Sequence, residues 1–343
     1  SVSGQLAEQG EAPGPVYLWK GPQRWLKPWY DWKDQLKDDH GLAFGLFASF
    51  LGQSASDTTT GRDAAAGGIY RFQGSWTVLN NGKPNPGRIE WRLEARSNLG
   101  DAQAPASLGN AIGAAALNTG FGYSERFTTD LSVLNWTQGF RDSRIGYAIG
   151  RLAFDAYLDA FAFQSTSAGF LNRSFLVNPT LATTGIGALG AVARGMVTDN
   201  LIIGAQIYDG NAVSGEWDWD TFTEHEYLKA AEVAWVPSYA RRKLSKVQFT
   251  YWGKDARDEA GISSGRGWAV SASWEVGERW LPFVRFGSSD GGAGVAAEDA
   301  LSGGFQYTVR SDQKWSFGAG WARPSRETHG ADVDDECVIE TSY

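Results

Sequence analysis

The sequence contains one cysteine, one methionine and three histidines in 343 residues. A lone Cys337 closes no internal disulfide and supplies no thiolate cluster for a metal. His40, His225 and His329 lie far apart in the chain, so no histidine-based metal site is visible and no cofactor is expected. No run of about eighteen apolar residues occurs, which excludes a membrane-spanning helix. Net charge is −8 and no basic patch recurs, which argues against a nucleic-acid partner. The chain does not open on a charged segment followed by an apolar stretch, so for an exported protein Ser1 would begin a processed form.

Aromatic residues are plentiful, at 13% with 16 Trp. That load suits membrane-interface girdles, where the ring sits at headgroup depth. By composition alone it suits a Trp-rich carbohydrate-binding sandwich equally well. Patterning separates the two. In Arg88–Ser97, Ile89, Trp91, Leu93 and Ala95 fall on one face; Arg88, Glu90, Arg92, Glu94 and Arg96 fall on the other. A soluble sandwich does not set a row of charges opposite a Trp-bearing face, whereas a strand between lipid and a water-filled lumen does. The negative mean hydropathy of −0.33 follows from polar residues making up half of each strand, and it carries no weight against a membrane location.

Before the strands, Trp25, Trp29, Trp32 and Leu36 repeat at helical spacing, with Pro28 suited to a first turn and Gly41 to a stop. This short helix is expected over a barrel mouth or at the membrane surface. Fourteen alternating segments follow, from Leu42–Leu51, Gly68–Leu79 and Arg88–Ser97 through to Glu336–Tyr343. Trp76, Trp235, Trp274 and Trp321 are expected on the outside. The connections alternate short and long, as in outer-membrane barrels with short periplasmic turns and long outer loops. Residues 1–41 are therefore a periplasmic segment with a helix, and 42–343 a transmembrane antiparallel β-barrel. The expected location is the bacterial outer membrane, with its lipids as one partner.

The stretch YDGNAVSGEWDWDTFTEHEYLKAAEVAWVP (Tyr208–Pro237) resembles the carbohydrate-selective outer-membrane porins, the glucose-porin-like family. WYDWKDQLKDDHGLAFGLFASF, RIGYAIGRLAFDAYLDAF, LPFVRFGSSDG and the ending ECVIETSY carry the same resemblance from about Trp25 to Tyr343. It implies an all-β fold that has 16 strands in the family, with about 14 represented here and the last two absent. It also implies passive diffusion of small carbohydrates, by a monomer or homotrimer.

Selectivity for sugars needs a narrow polar passage, donors and acceptors for hydroxyls, and aromatic faces. Strand parity puts Arg71, Arg88, Glu90, Arg92, Glu94 and Arg96 in the lumen. Glu232, Lys246, Gln248, Trp252, Glu275, Arg285 and Glu340 join them by the same parity. Each of these is either part of a constriction or a wall charge paired across strands. Trp252 either stacks on a sugar or closes the outer mouth against a loop; Trp217 and Trp219 lie on an outer loop, with stacking or packing as the choices. The connection Leu152–Gly185 carries Phe154, Tyr157, Phe161, Phe163, Phe170 and Phe175, too many aromatics for a solvated loop. It should pack inside the barrel or against a neighbouring subunit, with Arg151 and Asp155 pairing at its base. A general or ion-selective porin shares every one of these features. A barrel hydrolase is the alternative of another class; it would need His225 or His329 beside a nucleophile.

Overall fold

The computed structural model describes residues 21–124, 126–216, 219–310 and 313–343. Helix α1 (Gly21–His40) leads through Gly41 into β1 (Leu42–Ser54), β2 (Ala64–Leu79), β3 (Gly87–Asn98) and β4 (Arg126–Phe140). Next come β5 (Ile145–Leu152), β6 (Ala188–Met196), β7 (Leu201–Asp209), β8 (Tyr227–Trp235) and β9 (Lys246–Lys254). The last five are β10 (Gly265–Ser273), β11 (Trp280–Ser289), β12 (Ala297–Arg310), β13 (Gln313–Pro324) and β14 (Glu336–Ser342). They form one antiparallel sheet in sequence order, each strand hydrogen-bonded to the next. All fourteen expected strands are present, and most run a few residues further at one end or both. β10 is an exception at its C-terminal end: it stops at Ser273, so Glu275 lies in the following turn rather than on the lumen wall.

The alternation is physical as well as sequential. In β9, Val247, Phe249 and Tyr251 are exposed while Lys246, Gln248, Thr250 and Trp252 are buried. Trp76 and Trp235 are likewise exposed, and Trp274 stacks on Trp235 with ring centroids 5.3 Å apart. A sheet that is apolar outside and charged inside suits lipid on one face and water on the other.

Helix α1 contains Pro28 well inside it rather than in its first turn. It does not cover the mouth. Trp29 and Trp32 each pack edge-on against outward-facing Phe44 at 6.0 Å, and Asn81 Nδ2 donates to the Asp38 carbonyl at 3.0 Å. The helix therefore sits against the outer surface at the short-turn end of β1.

The sheet curls until one loop touches both of its edges. In the β3–β4 loop, which includes α2 (Pro105–Ala111), Tyr123 Oη meets Ser49 Oγ at 2.5 Å. Gln53 Nε2 donates to Thr119 Oγ1 at 3.1 Å, also on β1. From the same loop, the backbone N–H groups of Ala115 and Leu117 each donate to the Glu336 carboxylate of β14 at 2.7 Å. Among the described residues β1 and β14 do not pair with each other.

Candidate functional site: a loop-filled lumen

The β5–β6 connection, residues 153–187, folds into the barrel as the aromatic count predicts. It has no regular element longer than α3 (Arg173–Leu176), whose Asn172 cap accepts the Ser174 N–H at 3.0 Å. Phe161, Phe163, Phe170 and Phe175 bury themselves against Phe283 of β11, with Phe163 and Phe283 centroids 4.9 Å apart. Gly318 admits this cluster: a Cβ there would lie 2.7 Å from the Phe175 ring. A second apolar group from the loop, with Phe154, Leu158 and Leu181, covers Tyr208 and Trp252. Trp252 is fully buried in it, so of its two expected roles the structure shows closure against a loop.

Polar bonds then latch the loop to the wall. Asp159 adopts a left-handed φ of 47°, a conformation Asp tolerates, and its carboxylate pairs with Arg285 at 2.5 Å. Ser271 donates to the same carboxylate at 3.0 Å, and Gln248 at 3.3 Å. The Asp159 N–H donates to Glu232 at 2.6 Å, and Glu232 also pairs with Arg194 at 2.5 Å. The partners of Asp159 come from strands β8, β9, β10 and β11, with Arg194 of β6 backing Glu232, so one loop residue is held by a whole sector of wall. On the far side, Glu340 of β14 accepts the Leu171 and Asn172 N–H groups at 2.7 and 2.9 Å. Lys246 Nζ donates to the Ala160 carbonyl.

The opposite wall carries the Glu94 cluster. Cross-strand register sets Arg71 of β2 directly opposite Glu94 and Gln73 opposite Arg92. Glu94, fully buried, pairs with Arg71, with Arg96 at 2.7 Å and with Arg92 at 3.6 Å. Arg92 Nε also donates to Ser132 at 2.9 Å. Three guanidinium groups on one carboxylate leave this wall with excess positive charge. Glu90 is buried one step along the same face.

Sequence parity thus places Arg71, Glu90, Arg92, Glu94, Arg96, Glu232, Trp252 and Arg285 on the inner face, in two groups on opposite walls. Two expectations need correction. Glu275 belongs to the β10–β11 turn, where it pairs with Arg241 at 3.2 Å. Arg151 pairs with Asp130 of the adjacent strand β4 at 3.1 Å and donates to the Glu216 carbonyl, not to Asp155. Register sets Arg151 opposite Leu134, and its guanidinium reaches along β4 to Asp130. Asp159 escapes a parity reading because it is in a loop; Arg194, on β6, shares the inward parity of Val192 and was not singled out. The clue to Asp159 is a carboxylate set, with Asp155, among aromatic residues.

Beneath the latched loop, at the short-turn end, lies a cavity of about 890 Å³. Tyr157, Phe161 and Gln164 of the loop line it from one side; Arg88, Glu90, Arg194 and Glu232 line it from the wall. Burial pushes the Tyr157 hydroxyl pKa up, so it stays a neutral donor. Of the outer-loop tryptophans, Trp219 is exposed and Trp217 lies outside the described residues. His225 Nδ1 lies 3.1 Å from Tyr227 Oη, and His329 Nε2 lies 3.2 Å from the Ala296 carbonyl, so neither ring is set beside a nucleophile.

This architecture is a porin-type transmembrane fold: an antiparallel barrel, apolar outside, with a loop folded into a charged bore. Such barrels reside in the bacterial outer membrane. Among solved structures the chain is similar to Pseudomonas putida OprB at high pH, with a TM-score of 0.65 over 88% of this chain and 79% of that one, at 14% identity. It is also similar to a variant of the Rhodopseudomonas blastica porin, with a TM-score of 0.51 over 88% and 89%, at 12% identity. No family model matches the chain, and no curated protein does.

Proposed function

We propose that the chain forms a pore for passive diffusion of small carbohydrates. The observation that carries this reading is the latched loop. It narrows a bore that would otherwise be wide and bounds it with charged donors and acceptors of both signs plus an aromatic face. Such walls orient hydroxyl groups while binding weakly enough for release. The candidate contacts are Arg71, Arg92 and Arg96, held in place by Glu94, on one wall and Glu232 on the other, while Arg285 holds the loop that narrows the bore. The likeness to OprB, a protein whose family name denotes carbohydrate selectivity, agrees with this reading.

Single-channel recording with neutral sugars as blockers tests it. Replacing Arg92 or Glu94 with Ala should change sugar block of the current more than it changes bulk conductance. Unchanged sugar affinity in both variants removes the pair from the site, and a pore that no sugar blocks favours a general porin.

The barrel of residues 42–343 is proposed to close with two further strands between β14 and β1. Backbone edges left unpaired in hydrocarbon have no other partner, and here the two edges do not meet.

A further inference from the structure

The cavity under the loop has a charge balance unlike the rest of the molecule. Among the described residues, seven Lys or Arg side chains line it against three carboxylates, with Arg144 paired to Asp199 outside the lining, in a chain whose net charge is −8. Two of the carboxylates are already engaged: Glu232 by Arg194 and the Asp159 N–H, Glu275 by Arg241. Arg88 donates to Thr77, Arg242 lies over the Tyr239 ring at 3.6 Å, and Lys246 bonds a carbonyl and Gln248. Those three cations meet no carboxylate among the described residues. A fixed turn supplies much of the excess. The β8–β9 turn, residues 236–245, reaches past the β6–β7 turn until Tyr239 Oη donates to the Ser143 carbonyl of the β4–β5 turn at 2.7 Å. That tether holds Arg241 and Arg242 at the cavity mouth.

We propose that this cavity is a subsite for acidic monosaccharides of the hexuronate class, on the exit side of the pore. The inference rests on the sugar-pore reading and names the substrate class within it. Tyr157 offers an aromatic surface for the apolar face of a pyranose. The cation excess then selects a solute that brings its own carboxylate, because a guanidinium bound to a carboxylate makes a stronger, charge-assisted bond than one bound to a hydroxyl. The acidic outer loops do not cancel this field. They lie at the opposite, long-loop end of the barrel, and salt screens them over roughly 8 Å at physiological strength.

The test compares glucuronate with glucose, which are similar in size, in the intact protein reconstituted into liposomes and planar bilayers. Glucuronate should leave the liposomes faster and, added at the short-turn side, should block chloride current at lower concentration. The double variant R241Q/R242Q alters exposed turn residues, and its folding is checked by heat-modifiable gel mobility. In it the glucuronate-to-glucose ratio should fall about fivefold, the scale of one or two solvent-exposed charge pairs. Equal passage and equal block by the two sugars in the wild type would overturn the proposal, as would an unchanged ratio in the folded variant. If neither sugar passes or blocks, the sugar-pore reading itself fails.

Discussion

Asp159 is the residue on which the narrowing of the bore depends. Its pair with Arg285 has both partners almost wholly buried, at 1% and 2% side-chain exposure. Such a pair is tolerable only because Ser271, Gln248 and the neighbouring Glu232 complete its hydrogen bonds. Asp159→Asn leaves the Arg285 cation uncompensated and is expected to cost about 3 kcal/mol, since breaking a buried pair strands the surviving charge. The cost should appear at the loop before the barrel, as higher single-channel conductance with the folded gel band retained. Conductance equal to wild type would show that the loop is held by its phenylalanines alone. At this scale the sequence was legible where strand parity was applied, and Arg194 of β6 obeys the same parity although it was not singled out. Arg71, Arg92, Glu94 and Arg285 face inward because period two leaves them no other side. Asp159 was not legible, for a loop residue has no parity, and its partners stand 73 to 126 positions away.

Among the elements, the fourteen strands followed from alternation and the buried loop from its aromatic content, because both express the same transfer of apolar surface out of water. Less followed for helix α1. Helical spacing found its Trp face, but the surface receiving that face belongs to Phe44 on β1, and a helix wheel does not name its partner. The base of the loop is a similar case: proximity in sequence suggested Arg151 with Asp155, whereas the long Arg151 side chain, opposite Leu134 by register, reaches along the neighbouring strand β4 to Asp130. The seam between β1 and β14 yields a prediction at this scale. In a C337S background, cysteines at Leu46 and Ile339, both exposed on the outer face, should not form a disulfide across it in the membrane-embedded protein. A bridge needs Cα atoms within about 7 Å, which two intervening strands exclude. Rapid oxidation to a cross-linked monomer would mean the two edges meet directly and no further strands lie between them.

Across the whole molecule, charge is sorted along the barrel axis. The seven long connections carry nineteen carboxylates against four Lys or Arg, while the six short turns carry seven Lys or Arg against five carboxylates. The sorting is legible in the sequence once the strands are assigned, although its consequence depends on the loop that enters the bore and on the turn that crosses the inner mouth. A passage with an acidic outer mouth and a cationic inner vestibule concentrates opposite ions at its two ends, so one direction of voltage fills it with carriers and the other depletes it. Current–voltage curves of the reconstituted protein should therefore be asymmetric at low salt. Raising the salt to about 1 M shrinks the screening length to roughly 3 Å and should make them nearly linear. Charge reversal at Arg241 and Arg242 should remove most of the asymmetry even at low salt, because it alters the vestibule end of the gradient and leaves the long loops as they are. Curves that are symmetric at every salt concentration would mean that the sorted charges lie outside the conducting path.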